Sequence, residues 1–172
     1  MDEIRHIRDW YRYNSQVRKK YLRALARLPR RALLKDRGAS FPSLLDIFVH
    51  TLDAYKWYFD YAYNDRSADF RWKRGVIKTM ADARRYEREV DKLVMVFVER
   101  LDRRRLGGVF SYGAPWWKPR RPARLTMATR DMLLHMVEEE LQHRGELNAL
   151  LWQMGVEPPV QGFAQWNEAR RE

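Results

Sequence analysis

The sequence predicts an all-α fold: a four-helix bundle with a long crossover between helices 2 and 3, plus a short C-terminal helix. Three observations lead there. Four stretches repeat apolar residues at three- and four-residue spacing. Residues 63 to 78, between the second and third of them, show no clear period, and a connection of that length suits a crossover better than simple up-down wiring. Pro29, Gly155 and Pro158-Pro159 stand where helices should stop. Strand content is expected to be minimal.

Residues 3 to 28 read as the first helix, with Ile7, Trp10, Tyr21, Leu25 and Leu28 on one stripe and Asn14 near its centre. Asn14 either hydrogen-bonds inside a bundle core or lines a polar pocket. A basic loop follows over 29 to 42. The second helix runs from residue 43 to about 61, with Ser40 or Ser43 as N-cap. Phe48, Leu52, Tyr55 and Phe59 form its apolar face. His50 lies on a mixed face with Asp46, Asp53, Ala54, Trp57 and Tyr61, which suits a pocket wall or an ordinary solvated face. The third helix spans residue 79 to about 104, where Val90, Leu93, Val94, Phe97, Val98 and Leu101 recur.

Between residues 106 and 123 glycines and prolines break all periodicity. Trp116-Trp117-Lys118-Pro119-Arg120-Arg121 within it is a basic-aromatic patch that either stacks on a ligand or covers a bundle end. The fourth helix is expected to be capped near Thr126 or Thr129 and to end at Gly155. Residues 162 to 171 add a tail helix anchored by Phe163 and Trp166. One domain over residues 1–172 is the simplest division at this length.

The chain has no cysteine, which excludes disulfides and thiolate ligands, so thiol chemistry must use an external thiol. No apolar run approaches the length of a bilayer span, and the start has no apolar segment of the secretory kind. A cytoplasmic protein without membrane contact is expected. The formal charge is +11 and the sequence pI about 10.1, favouring anionic partners in general. The basic residues are interleaved with acids, however, so nucleic acid is not the first expectation.

The chemistry concentrates in the fourth helix. At about 100° per residue, Met132, Met136, Leu147, Leu150 and Met154 fall within about 40° of His143. Glu139 lies in the same seam, one turn earlier. A carboxylate and an imidazole in a core-facing line need a partner. Either they share a cation, as an i, i+4 pair can, or they bond each other at a core margin. His135 sits about 12 Å along the axis from His143 and suits a neighbouring group or water rather than the same ion. Gly145, nearly opposite His143, suggests close approach by another backbone.

Glu140-x-x-His143 and Glu3-x-x-His6 also raise a di-metal carboxylate bundle, although the second and third helices offer no well-centred Glu for it. A basic helical module without chemistry, binding nucleic acid or protein, is another alternative, and a scaffold that keeps the bundle but has lost its chemistry is a third.

Tyr13-Asn14, His50 and above all the run His135-x3-Glu139-x3-His143-Arg144-Gly145-Glu146-Leu147, followed by Gly155-Val156-Glu157-Pro158-Pro159, resemble the DinB/YfiT-like family of four-helix metal proteins over nearly the whole chain. The resemblance implies one divalent ion held by His50, Glu139 and His143. Zinc or nickel leads, and iron also suits two His and one carboxylate. Members usually carry His where this chain has Glu139; the carboxylate lowers the charge of the site by one and leaves a bound water less acidic. The resemblance further implies activation of a small thiol or water for transfer or hydrolysis of a small-molecule substrate, and a homodimer. Tyr13, Asn14, Trp57 and His135 are then candidates for the pocket, and Asp46 and Asp53 for orienting the His50 ring.

Overall fold

A computed structural model describes residues 2–114, 123–159 and 162–170. In chain order it contains α1 (Glu3–Leu25), α2 (Arg30–Leu33), α3 (Leu44–Lys56), α4 (Met80–Glu99), α5 (Arg103–Leu106), β1 (Val109–Gly113), β2 (Arg124–Ala128), α6 (Thr129–Gln153) and α7 (Phe163–Glu168). The chain is mostly helical. The long helices close on one another: α3 packs on α6 and α4, and α1 packs on α4 and α6. Leu25, Leu45, Ile47, Leu52, Met132 and Met136 are fully buried between them. Among the described residues, no helix is long and apolar enough to cross a membrane.

Local chemistry sets the helix ends. Asp2 caps α1 by accepting from the Ile4 amide at 3.2 Å. Three residues before the expected stop, α1 gives way to tighter i→i−3 bonds (Arg27 to Ala24, Leu28 to Leu25), because Pro29 disfavours a helical Leu28. Of the two serines offered as caps, Ser43 starts α3, accepting from the Asp46 amide at 3.1 Å. After Lys56 the helix widens into a π turn, Trp57–Ala62. Thr79 caps α4 through Asp82. That helix stops at Glu99, short of the expected 104, and Asp102 caps the separate α5. Arg8 of α1 donates to the carbonyls of Val98, Glu99 and Leu101, supplying partners where α4 ends.

The region read as structureless supplies β1, which pairs antiparallel with β2 at the expected start of the fourth helix, Val109 opposite Ala128 and Gly113 opposite Arg124. The strands are five residues each, too short to stand out among the glycines and prolines around them. Thr126 therefore belongs to β2 and Thr129 is the first residue of α6. Neither caps that helix; the Thr129 amide is satisfied by the Gly108 carbonyl at 2.9 Å. Tyr112 of β1 joins Trp57, Ala62 and Phe70 in a second apolar cluster. The basic-aromatic patch at residues 116–121 lies outside the described residues.

Gly155 has φ +69° and ends α6 with a Val156 amide to Leu151 carbonyl bond of 3.0 Å, the left-handed stop its position suggested. In α7, Phe163 stacks on Trp10 at 3.9 Å and Trp166 donates to Gln16, so both expected anchors hold the tail to α1. Gly145, in contrast, is exposed, and a Cβ there would meet nothing within 4 Å. Among the described residues, no neighbouring backbone comes within 4 Å of that Cβ position.

Candidate metal centre

The packing of α3 on α6 brings His50 opposite the Glu139/His143 turn. One carboxylate oxygen, Glu139 Oε1, lies 3.0 Å from His50 Nε2 and 3.1 Å from His143 Nε2. All three candidate donor atoms fall within 4.8 Å of one another. His143 is buried, with the Phe41 ring 5.5 Å and the His50 ring 4.8 Å from its own, whereas the His50 and Glu139 side chains retain 14% and 17% exposure.

Two further segments surround it. Glu146, one turn beyond His143, receives His143 Nδ1 at 2.9 Å on Oε2. The same carboxylate accepts from the Ser40 amide at 2.8 Å and the Ser40 hydroxyl at 2.6 Å. Phe41 stacks on the His50 ring at 3.9 Å, and Trp72 lies near-parallel to that ring at 5.8 Å. The Arg74 guanidinium sits 4.6 Å over the Phe41 ring.

Asp46 and Asp53 do not hydrogen-bond to His50 as expected. Fully buried Asp53 accepts from the Lys73 and Arg74 amides, both at 2.9 Å through Oδ2, and from the Tyr86 hydroxyl at 2.8 Å. Asp46 accepts from the Gly75 amide at 3.1 Å. Both carboxylates thus tie down the segment that presents Trp72 and Arg74. Among the described residues, the buried His50 Nδ1 has no hydrogen-bond partner. These groups share one side of α3, as the helical phase predicts, but which group each carboxylate bonds depends on a segment 20 to 29 residues away in sequence.

Charge follows this geometry. Hydrogen bonds from His143 and His50 hold the Glu139 carboxyl far below the usual carboxylate range. Burial alone would lower the pKa of His143, but Glu139 and Glu146 outweigh it and raise it. For Glu146, burial is in turn outweighed by Ser40 and His143, and its pKa is lowered. Burial wins at Asp53 and pushes that carboxyl up.

The donor set fits a divalent ion. Two imidazole Nε2 atoms and a carboxylate oxygen are zinc-, nickel- and iron-type ligands. A tetrahedral ion with bonds of about 2.1 Å spaces its ligand atoms by about 3.4 Å; the observed 3.0 and 3.1 Å need adjustments of a few tenths of an ångström.

The other sequence candidates lie elsewhere. Trp57 is in the second apolar cluster. His135 is on the surface, 3.5 Å from Glu138 and edge-on to Tyr58. Tyr13 and Asn14 meet Arg144, which bonds Asn14 Oδ1 at 3.3 Å and stacks over the Tyr13 ring. They belong to a buried polar cluster in which Glu140 accepts from Arg18 and from Tyr55, each at 2.6 Å. A cavity of about 20 Å³ between Arg18, Glu140 and Arg144 is large enough for a water.

With Glu140 committed to Arg18 and Tyr55, the Glu140-x-x-His143 spacing does not build a second centre. Glu3 pairs with Arg130, and His6 accepts from Trp10. The expectation that the third helix carries no centred Glu is corrected by Glu87, buried 3.7 Å from Arg18. Arg18, not a metal, is the cation between Glu87 and Glu140.

Sequence reasoning missed Ser40, Phe41, Trp72 and Glu146. Only Glu146 left a usable signal, its i+3 spacing from His143. A model of the DinB family matches residues 4–171. Comparison with curated proteins gives no match.

Proposed function

The chain belongs to the DinB family, and we propose that it is a mononuclear metal-dependent enzyme in which His50, Glu139 and His143 hold one divalent ion, zinc or nickel first and iron next. The observation behind this reading is the convergence of His50, Glu139 and His143, whose three donor atoms lie within 4.8 Å of one another, with part of the His50 and Glu139 side chains exposed. The four long helices then form a four-helix bundle with a crossover, a single domain over 1–172.

Three protein donors leave coordination positions for a reactant, as in catalytic rather than structural sites. When bound, the ion supplies the Lewis acidity that makes a small thiol or water nucleophilic at neutral pH, for transfer to, or hydrolysis of, a small-molecule substrate. The protein's own groups do the rest. Glu139 keeps its negative charge at any physiological pH. Phe41 and Trp72 wall the His50 side and limit water there. Arg74 places a positive charge at the rim, next to Phe41.

Elemental analysis of the purified protein, alongside His50→Ala, Glu139→Ala and His143→Ala, tests the reading. One ion per natural chain, absent from the variants, is expected. A natural protein that takes up no zinc, nickel or iron at neutral pH, even when the ions are supplied, removes the proposal.

A further inference from the structure

We propose that Glu146 is a positioning residue for the metal centre, acting through His143, and that Ser40 and Phe41 form with it a strap that fixes both imidazoles from outside the ligand set. The inference rests on the metal reading above and assigns a role to residues that reading does not use.

The geometry excludes the simpler roles for Glu146. Its Oε2 lies against His143 Nδ1 at 2.9 Å, while Nε2 of the same ring faces Glu139. The two nitrogens point away from each other across the imidazole, so Glu146 cannot reach an ion held at Nε2. Nor is it a lone surface ion pair, because both oxygens are engaged: Oε1 by the Ser40 amide, and Oε2 by the Ser40 hydroxyl as well as His143. A carboxylate held from two directions can do one thing to this ring: accept from Nδ1 and turn the Nε2 edge toward Glu139, so that Nε2 is the nitrogen left to give its lone pair to an ion held there.

His50 has no such partner among the described residues, since its buried Nδ1 is unbonded there. Its ring is steadied by stacking on Phe41, the residue after Ser40. Two consecutive residues ahead of α3 therefore restrain one imidazole each, the first through a hydrogen-bonded carboxylate and the second by ring contact. The short segment before Ser43 couples α6 to α3 at the point where their donors meet.

The test uses the full chain, stripped with chelator and titrated with Co²⁺ as a spectroscopic stand-in and with Zn²⁺ by calorimetry. Natural protein, Glu146→Ala, Glu146→Gln and a control, Glu138→Ala, are compared. Glu146→Ala should weaken binding by about 10- to 100-fold and shift the visible cobalt bands. Glu146→Gln should partly restore both, because its amide oxygen accepts the same bond without the charge. The metal-free melting temperatures of the Gln variant and the control should agree within a few degrees. If the natural protein binds cobalt and both Glu146 variants match it within twofold with the same spectrum, the positioning role is wrong and the centre stands. If the natural protein binds neither ion, the centre itself falls. Should the Ala variant fail to fold, the Gln variant decides: affinity and spectrum equal to natural protein overturn the inference, and a weakened, shifted complex supports it.

Discussion

Glu139 and Glu140 are adjacent, chemically identical and assigned opposite jobs, so replacing each by Gln gives a sharp test of the arrangement. Glu140 is 4% exposed and accepts from Arg18 and Tyr55, each at 2.6 Å. Removing one partner of a buried ion pair costs about 3–5 kcal/mol. Arg18 would still face Asp91 at 3.3 Å and Glu87 at 3.7 Å, which places Glu140→Gln at the lower end, about 3 kcal/mol. For a chain of this length that is a fall in melting temperature of roughly 6–12 °C. Glu139 is more open, and in Glu139→Gln the amide oxygen still accepts from an imidazole without the charge, so the change should cost the metal-free protein about 1 kcal/mol. Urea denaturation of chelated samples measures both. Zinc calorimetry should show the reverse order: binding lost in Glu139→Gln and within about threefold of natural protein in Glu140→Gln. Equal destabilisation by the two changes, or loss of the ion from Glu140→Gln alone, would refute the assignment.

Metal affinity should depend on pH, because the ion displaces the proton that Glu139 and Glu146 stabilise on His143. Zinc affinity should rise by up to tenfold per pH unit below the raised folded pKa of His143 and level above it; a flat profile from the ordinary imidazole value downward speaks against His143 as a ligand. In chelated protein the same groups act differently. The depressed pKa of Glu139 gives stability that is present above about 4.5 and lost as pH falls. The raised pKa of His143 gives stability that is full below about 6.5 and lost as pH rises through its folded value. Stability contributed by the pair should therefore peak between those values in denaturant titrations. Asp53→Asn should speed hydrogen exchange at the Lys73 and Arg74 amides, whose acceptor it alters, while α1 amides stay protected. Gly145→Ala should stabilise by about 0.5–1 kcal/mol, since the position is helical, exposed and clear of neighbours; a fall in melting temperature would mean that something covers this face.

The helical character, Ser43 and Gly155 as helix boundaries, and the phase of Glu139 with His143 were all legible from local pattern, because capping, left-handed stops and i, i+4 adjacency depend on residues within one or two turns. The grouping of His50, Glu139 and His143, which the resemblance implied, is the one the structure brings within 4.8 Å, in a chain that belongs to the DinB family. The hairpin was not legible, since two short alternating runs separated by prolines carry little periodic signal until they pair. Nor was the division of labour between Glu139 and Glu140. Neighbouring helix positions differ by about 100°, and which direction meets an arginine and which an imidazole depends on what α1, α3 and α4 place there. For the same reason Asp46 and Asp53 could be set on the face of His50 from sequence, yet only the tertiary structure turned them toward the backbone of residues 73–75. The sequence by itself determined which groups line each helix face; the packing of helices distant in the chain decided which of those groups meet.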